Sequence, residues 1–181
     1  TPASGLSGAP DANCNIAPEV KLYYRSTAAG CTFGLPDPVW NIGATATTVP
    51  AAPTVATTNC FKPYSLGSTP ADLATTTTDS GVTVPYIVAV ERGTLNRGIY
   101  DIAVLVDPSK PRTAVAPQAG WNGKVYYTFG ASTGQPRRQV RPATNWTSAD
   151  EQLKRGWLVA TNSMTDSARN SNLAHQHTVG V

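Results

Sequence analysis

The sequence predicts an α/β fold, and three stretches predict it. Residues 82–91 and 99–107 are runs rich in β-branched residues, joined by a turn containing Gly93, Asn96 and Gly98, which is the pattern of an antiparallel pair. Residues 124–129 make a third such run, with no charge from Val125 to Phe129. Ser148-Ala149-Asp150-Glu151 then reads as a capping box opening a helix over 149–155, with Lys154 and Arg155 in its last turn and Gly156 as its stop. The apolar run 156–162 follows that helix directly, as a buried parallel strand does after a crossover.

Composition narrows the class. A chain of 181 residues can hold one domain with a real core. Its charged fraction, 14%, is well below the usual quarter or so, and Thr, Ser, Ala, Pro and Gly take up the difference. That balance is common in exported proteins, so a secreted or periplasmic location is the expectation. The net charge of +3 is small and dispersed, which argues against nucleic acid as a partner. No apolar run approaches the ~20 residues that span a bilayer, so no membrane is expected either. No basic-then-apolar leader opens the chain, so either an export signal has been removed or there was none. The last residues, from His175 to Val181, offer no closing helix or strand, and the expectation is a processed fragment or subunit of something larger.

The first 80 residues have a different texture, so the expected division is an irregular Thr/Ala/Pro-rich segment, 1–80, and a regular part, 81–181. Within the first segment residues 20–25 look like a short strand bounded by Pro18, and 43–59 reads as an extended linker or an edge strand. All three cysteines lie here. Cys14, Cys31 and Cys60 have no CxxC spacing and no neighbouring histidine, so neither a metal nor any other cofactor is expected. In an oxidising compartment one pair forms a bridge. Cys14–Cys31 closes the shorter loop and is preferred; Cys31–Cys60 is the other choice.

The candidate site lies at the end of the third strand, where Gly130-Ala131-Ser132-Thr133-Gly134 follows Phe129. A strand running into Gly-x-Ser-x-Gly is the sequence form of a nucleophile elbow, with Ser132 as the nucleophile. The elbow needs a helix directly afterwards, and residues 135–142 carry Pro136 and Pro142 with no apolar helical stripe. The rival is a loop whose backbone N–H groups, at Gly130, Ala131 and Ser132, form an oxyanion hole. A plain strand-to-loop turn is the third reading. The order β, β, β, loop, α, β, antiparallel at first and then parallel, matches the opening of an α/β-hydrolase sheet. There the loop after the third strand supplies oxyanion amides and the nucleophile comes after a later strand, which has no counterpart in this sequence.

Thr83-Val84-Pro85-Tyr86-Ile87-Val88, Glu91-Arg92-Gly93-Thr94-Leu95-Asn96-Arg97-Gly98-Ile99-Tyr100, Trp121-Asn122-Gly123-Lys124 and Arg155-Gly156-Trp157 carry a family likeness. Over roughly residues 61–172 the chain resembles an uncharacterised family of large exported bacterial α/β-hydrolase-fold proteins, distantly similar to tannase-like esterases. The resemblance implies that this chain is the N-terminal part of such a protein. It makes Phe129-Gly130-Ala131-Ser132 the oxyanion loop, with the triad on a segment absent here. Ala131 and Ser132 stand where the family pattern has more glycine, though either residue keeps its N–H.

Other features have both plain and functional readings. Arg137, Arg138 and Arg141 beside the loop are a solvated cluster, or a grip on a substrate carboxylate by Arg137 and Arg138. His175 and His177, spaced by one residue, point to opposite sides of a strand and do not share a metal. Asn145-Trp146-Thr147 is a glycosylation sequon. The four tryptophans make core or a sugar platform. The leading expectation is therefore part of an exported ester hydrolase, partnered by its own remainder and acting on a small-molecule or polymeric ester. Its rivals are a non-catalytic β-rich binding module and a small complete hydrolase using Ser132.

Overall fold

The structure is a computed structural model and describes residues 6, 8–13, 15–31, 33, 60–95, 98–113, 115–127 and 146–162. It is a mixed α/β fold. Strands β1 (Ile16–Arg25), β2 (Phe61–Pro63), β5 (Ile87–Leu95), β6 (Gly98–Leu105), β7 (Val125–Tyr127) and β8 (Leu158–Asn162) form one sheet in the order β2-β1-β5-β6-β8-β7. Strands β3 (Thr75–Thr77) and β4 (Thr83–Pro85) make a separate two-stranded ribbon, and one short helix, α1 (Asp150–Lys154), follows a 3₁₀ turn at Trp146–Ala149.

The predicted hairpin is present, with β5 and β6 antiparallel. The predicted turn over 92–98 is tighter than expected, because the ladder continues to Leu95↔Gly98. Gly93 makes this possible: Tyr100 is its cross-strand partner and lies where a Cβ would project. The single strand expected over 82–91 is instead two. Pro85 has no N–H to offer a ladder, and at Tyr86 the chain leaves one sheet for the other, its N–H on Ala74 at 2.8 Å and its carbonyl accepting from Arg25 at 2.9 Å. β7 and β8 pair in parallel, Val125↔Leu158 to Tyr127↔Ala160, as the helix-then-strand pattern predicts. β6 meets β8 antiparallel, so among these four strands β5, β7 and β8 run one way and β6 alone runs against them, while β1, antiparallel to β5, runs with β6.

β1 is longer than the strand expected over 20–25, and it tolerates Pro18 because its register on β5 shifts between Ile16 and Glu19. Through β1 and β2, residues 16–25 and 61–63 of the first eighty belong to the main sheet. One face of that sheet buries Tyr23, Val88, Val90, Ala103, Leu105 and Val159 under α1 and the 3₁₀ turn. Trp146 is the centre of this core, its ring 4.8 Å from that of Phe61 and 5.3 Å from that of Tyr23. The opposite face is thinner, with Tyr24, Ile87, Ala89 and Val106 buried and Leu22 and Val104 only half covered.

Two local expectations are corrected. The preferred bridge Cys14–Cys31 gives way to Cys31–Cys60, with Cα atoms 4.9 Å apart. The reason is spatial: β2 pairs with β1 at Arg25↔Phe61, which brings the residue before Phe61 back to the end of β1, where Cys31 sits. Loop length could not weigh that pairing. Cys14 lies outside the described residues. The capping box does not form either: Ser148 is inside the 3₁₀ turn, and the residue at the helix N-cap is Ala149, which has no side chain able to cap. Gly156 is the helix stop as predicted, at φ +88°.

Candidate functional site

Ligands of α/β sheets bind outside the carboxyl ends of the parallel strands. At that end here lie Thr94 of β5, Thr161 and Asn162 of β8 and Tyr127 of β7, with the start of antiparallel β6 between them. Gly130, Ala131 and Ser132, which follow β7, lie outside the described residues, as do Arg137, Arg138, Arg141, Trp40, Asn145, His175 and His177.

The same end contains a group that sequence reasoning missed. Arg92 and Asp101 are cross-strand partners, each 1% exposed, and Nε and Nη2 of Arg92 donate to the two carboxylate oxygens of Asp101, both at 2.5 Å. A buried fork of this kind satisfies two donors and two acceptors at once. Thr161 is the next partner of Asp101 across the sheet, and the hydroxyls of Thr161 and Thr94 are buried without a hydrogen-bond partner. A signal was available. Alternation puts Arg92 on the face of Val88 and Val90, and Asp101 on the face of Ala103 and Leu105. Two opposite charges on the core faces of a predicted hairpin call for each other.

Three further acids organise the rest. Asp150, in the first turn of α1, accepts from Arg25 Nε at 3.2 Å and from the Tyr86 hydroxyl at 2.9 Å. Burial, then the Asp150 carboxylate, pushes the Tyr86 hydroxyl well above its usual range. Arg25 also donates to the Ser26 carbonyl, contacts Cys31 Sγ at 3.3 Å and lies 4.8 Å over the Phe33 ring, so it joins strand, disulfide and helix. Asp72 accepts from Lys62, Ser26 and Tyr24 at 2.5, 2.6 and 2.8 Å, and those bonds hold its carboxyl well below the usual range. Burial and Asp72 push the Tyr24 hydroxyl up to about 12. Asp79 accepts from Arg155, Trp157 and Lys124, and its carboxyl falls to about 2, chiefly through Arg155. Asp150 and Asp72 thus tie β1 to α1 and to β2, and Asp79 ties the turn after β3 to the residues between α1 and β8.

The three described tryptophans do not form one platform. Trp146 is fully buried in the core, whereas Trp121 and Trp157 are half-buried and bind their indole N–H groups to the Lys124 carbonyl and to Asp79. Among the described residues no group of three or more His, Cys, Asp or Glu could hold a metal ion, and no helix is long and apolar enough to cross a membrane.

The fold is that of a mixed α/β protein with a parallel β7–α1–β8 unit. The chain belongs to the tannase-like family of unknown function (DUF6351), whose model matches residues 1–177. No curated protein and no solved structure matches it.

Proposed function

We propose that this chain is the N-terminal part of an exported ester hydrolase with an α/β-hydrolase sheet. On this reading the loop after β7 supplies oxyanion-hole amides, and the nucleophile lies on a further segment. The observation that carries it is the strand order β5-β6-β8-β7, with β6 alone antiparallel and α1 between β7 and β8. In α/β-hydrolases one oxyanion N–H comes from the loop between the third strand and the first helix, and residues 128–145 occupy that interval here. The family's likeness to tannases supports an ester as substrate. A next strand would add beside β7, which has no neighbour on its outer edge among the described residues and whose Val125 is 56% exposed. The Cys31–Cys60 bridge suits an oxidising compartment.

The chemistry asked of this chain is electrostatic. Backbone N–H groups at Gly130, Ala131 and Ser132 would stabilise the negative charge that develops on the carbonyl oxygen as the ester is attacked. Arg137 and Arg138 would hold a substrate carboxylate.

The test is trapping with a fluorophosphonate on the longer protein, followed by mapping of the adduct and assay of variants. The adduct is expected on a serine beyond residue 181. Ser132→Ala should keep most ester hydrolysis, and Ala131→Pro, which removes an N–H, should lower kcat by about 10²–10³. An adduct on Ser132 would overturn the assignment, and absence of any adduct would favour a binding module.

A further inference from the structure

The other end of the sheet has a cleft with chemistry of its own. β6 runs antiparallel to β8, so Val104 and Val106 lie beside Leu158, four residues and roughly 13 Å along β8 from Asn162. The loop after β6 folds back over them and is pinned by one side chain. Oε1 of Gln118 accepts the Asp107 N–H at 2.6 Å, while Nε2 donates to the carbonyls of Asp107, Lys110 and Pro111 at 3.1, 3.2 and 3.3 Å. An amide engaged at both ends holds this loop preformed. Beneath it is a cleft of about 270 Å³, walled by Val104, Val106, Leu158 and Trp121, with Arg112 and Thr113 at its rim.

The polar groups here are one-sided. Trp121 Nε1 donates to the Lys124 carbonyl at 3.0 Å, so only its ring is available. Thr113 Oγ1 accepts the Ala116 N–H at 3.1 Å, leaving its hydroxyl hydrogen to donate. Asp107, the acid of this loop, is engaged by Ser109 and Lys110, and among the described residues no carboxylate pairs with Arg112. The rim therefore offers donors and a positive charge, and the walls offer apolar surface. A volume of about 270 Å³, just under the ~300 Å³ at the low end of small-molecule sites, admits one ring or a short branched chain.

We propose that this cleft binds a small amphipathic carboxylate, its ring or branched chain against Val104, Val106, Leu158 and Trp121 and its carboxylate on Arg112 and Thr113. Among the described residues no Ser, Cys, His, Lys, Asp or Glu lines the cleft, so we read it as a binding site, and it stands whether or not the loop after β7 serves an esterase.

Calorimetric titration of the full chain with 3-phenylpropanoate tests this, with uncharged 3-phenylpropanamide as the control. The acid should bind at least about tenfold tighter than the amide, and Arg112→Gln, an exposed change, should abolish that preference. Ala116→Phe, which fills the cleft mouth, should weaken both ligands. Binding of acid and amide with equal affinity, acid binding that Arg112→Gln leaves intact, or no binding of either would each overturn the proposal.

Discussion

Two charge clusters in this chain differ in almost every physical respect. Arg92 and Asp101 meet inside the sheet, each 1% exposed, through two bonds at 2.5 Å. Asp79 meets Arg155, Trp157 and Lys124 at the surface, at 2.9, 3.1 and 3.4 Å. Desolvation makes the buried pair expensive, and its attraction does little more than offset that expense; solvent screens the exposed cluster from the start. Neither is therefore a large net source of stability. They differ in what their loss would leave behind. Breaking the buried pair strands a charge in the core, whereas breaking the exposed one returns two charges to water. The buried pair also selects register, since a slip of β6 by one residue would move Asp101 to the other face.

The largest effect should come from stranding a charge. Asp101→Ala removes the carboxylate that the buried Arg92 guanidinium binds and should cost about 3–5 kcal/mol in urea unfolding. A loss no larger than that of an ordinary surface change would mean that water reaches the guanidinium, and that the pair is not buried in solution. The sharper version is the double replacement Arg92→Met with Asp101→Leu. It should recover most of that loss and leave the chain about as stable as the parent, because an apolar pair of similar volume needs no desolvation. If register depends on the pair, the same double variant should show heterogeneous amide signals for β6 in solution NMR.

At the exposed cluster the backbone should matter more than the charges. Gly156, next to Arg155, sits at φ +88°, and a Cβ there would lie 2.7 Å from the Gly120 carbonyl. Its own carbonyl accepts the Asn122 N–H at 2.8 Å, so the junction cannot easily open. Gly156→Ala should cost about 1–3 kcal/mol, measured by thermal unfolding.

Asp79→Asn should be the mildest change, with a midpoint at neutral pH close to that of the parent and closer still in high salt. Its signature is in acid. The folded carboxyl lies at about 2 against its ordinary 3.8, so its contribution is present above pH 3.8 and is lost as pH falls towards 2. Parent and variant stability curves should therefore converge over that interval. Curves that stay parallel would show that the carboxylate makes no folded-state interaction.

Short-range chemistry in the sequence determined much of this fold by itself. The β-branched runs that became β5, β6, β7 and β8, the tight antiparallel hairpin and the Gly156 stop each depend on residues within one strand or one turn, and the parallel β7–β8 pair was legible only as a helix-then-strand order. The candidate loop was legible as a motif, Gly130-Ala131-Ser132 after a strand, and it lies outside the described residues together with Arg137 and Arg138. Tertiary structure alone decided the rest. β1 joined the sheet through β5, Cys31 took Cys60 because β2 returns to β1, and Pro85 divided one apolar run between two sheets. Ser148 lost its cap because the buried Trp146 begins a 3₁₀ turn that already includes it. Arg92 found Asp101 only through the register of the hairpin, and Arg25 found Asp150 across 125 residues of chain. Contacts of that range form only once strands are paired and faces are chosen, and pairing is a property of the whole sheet that no local window of residues contains.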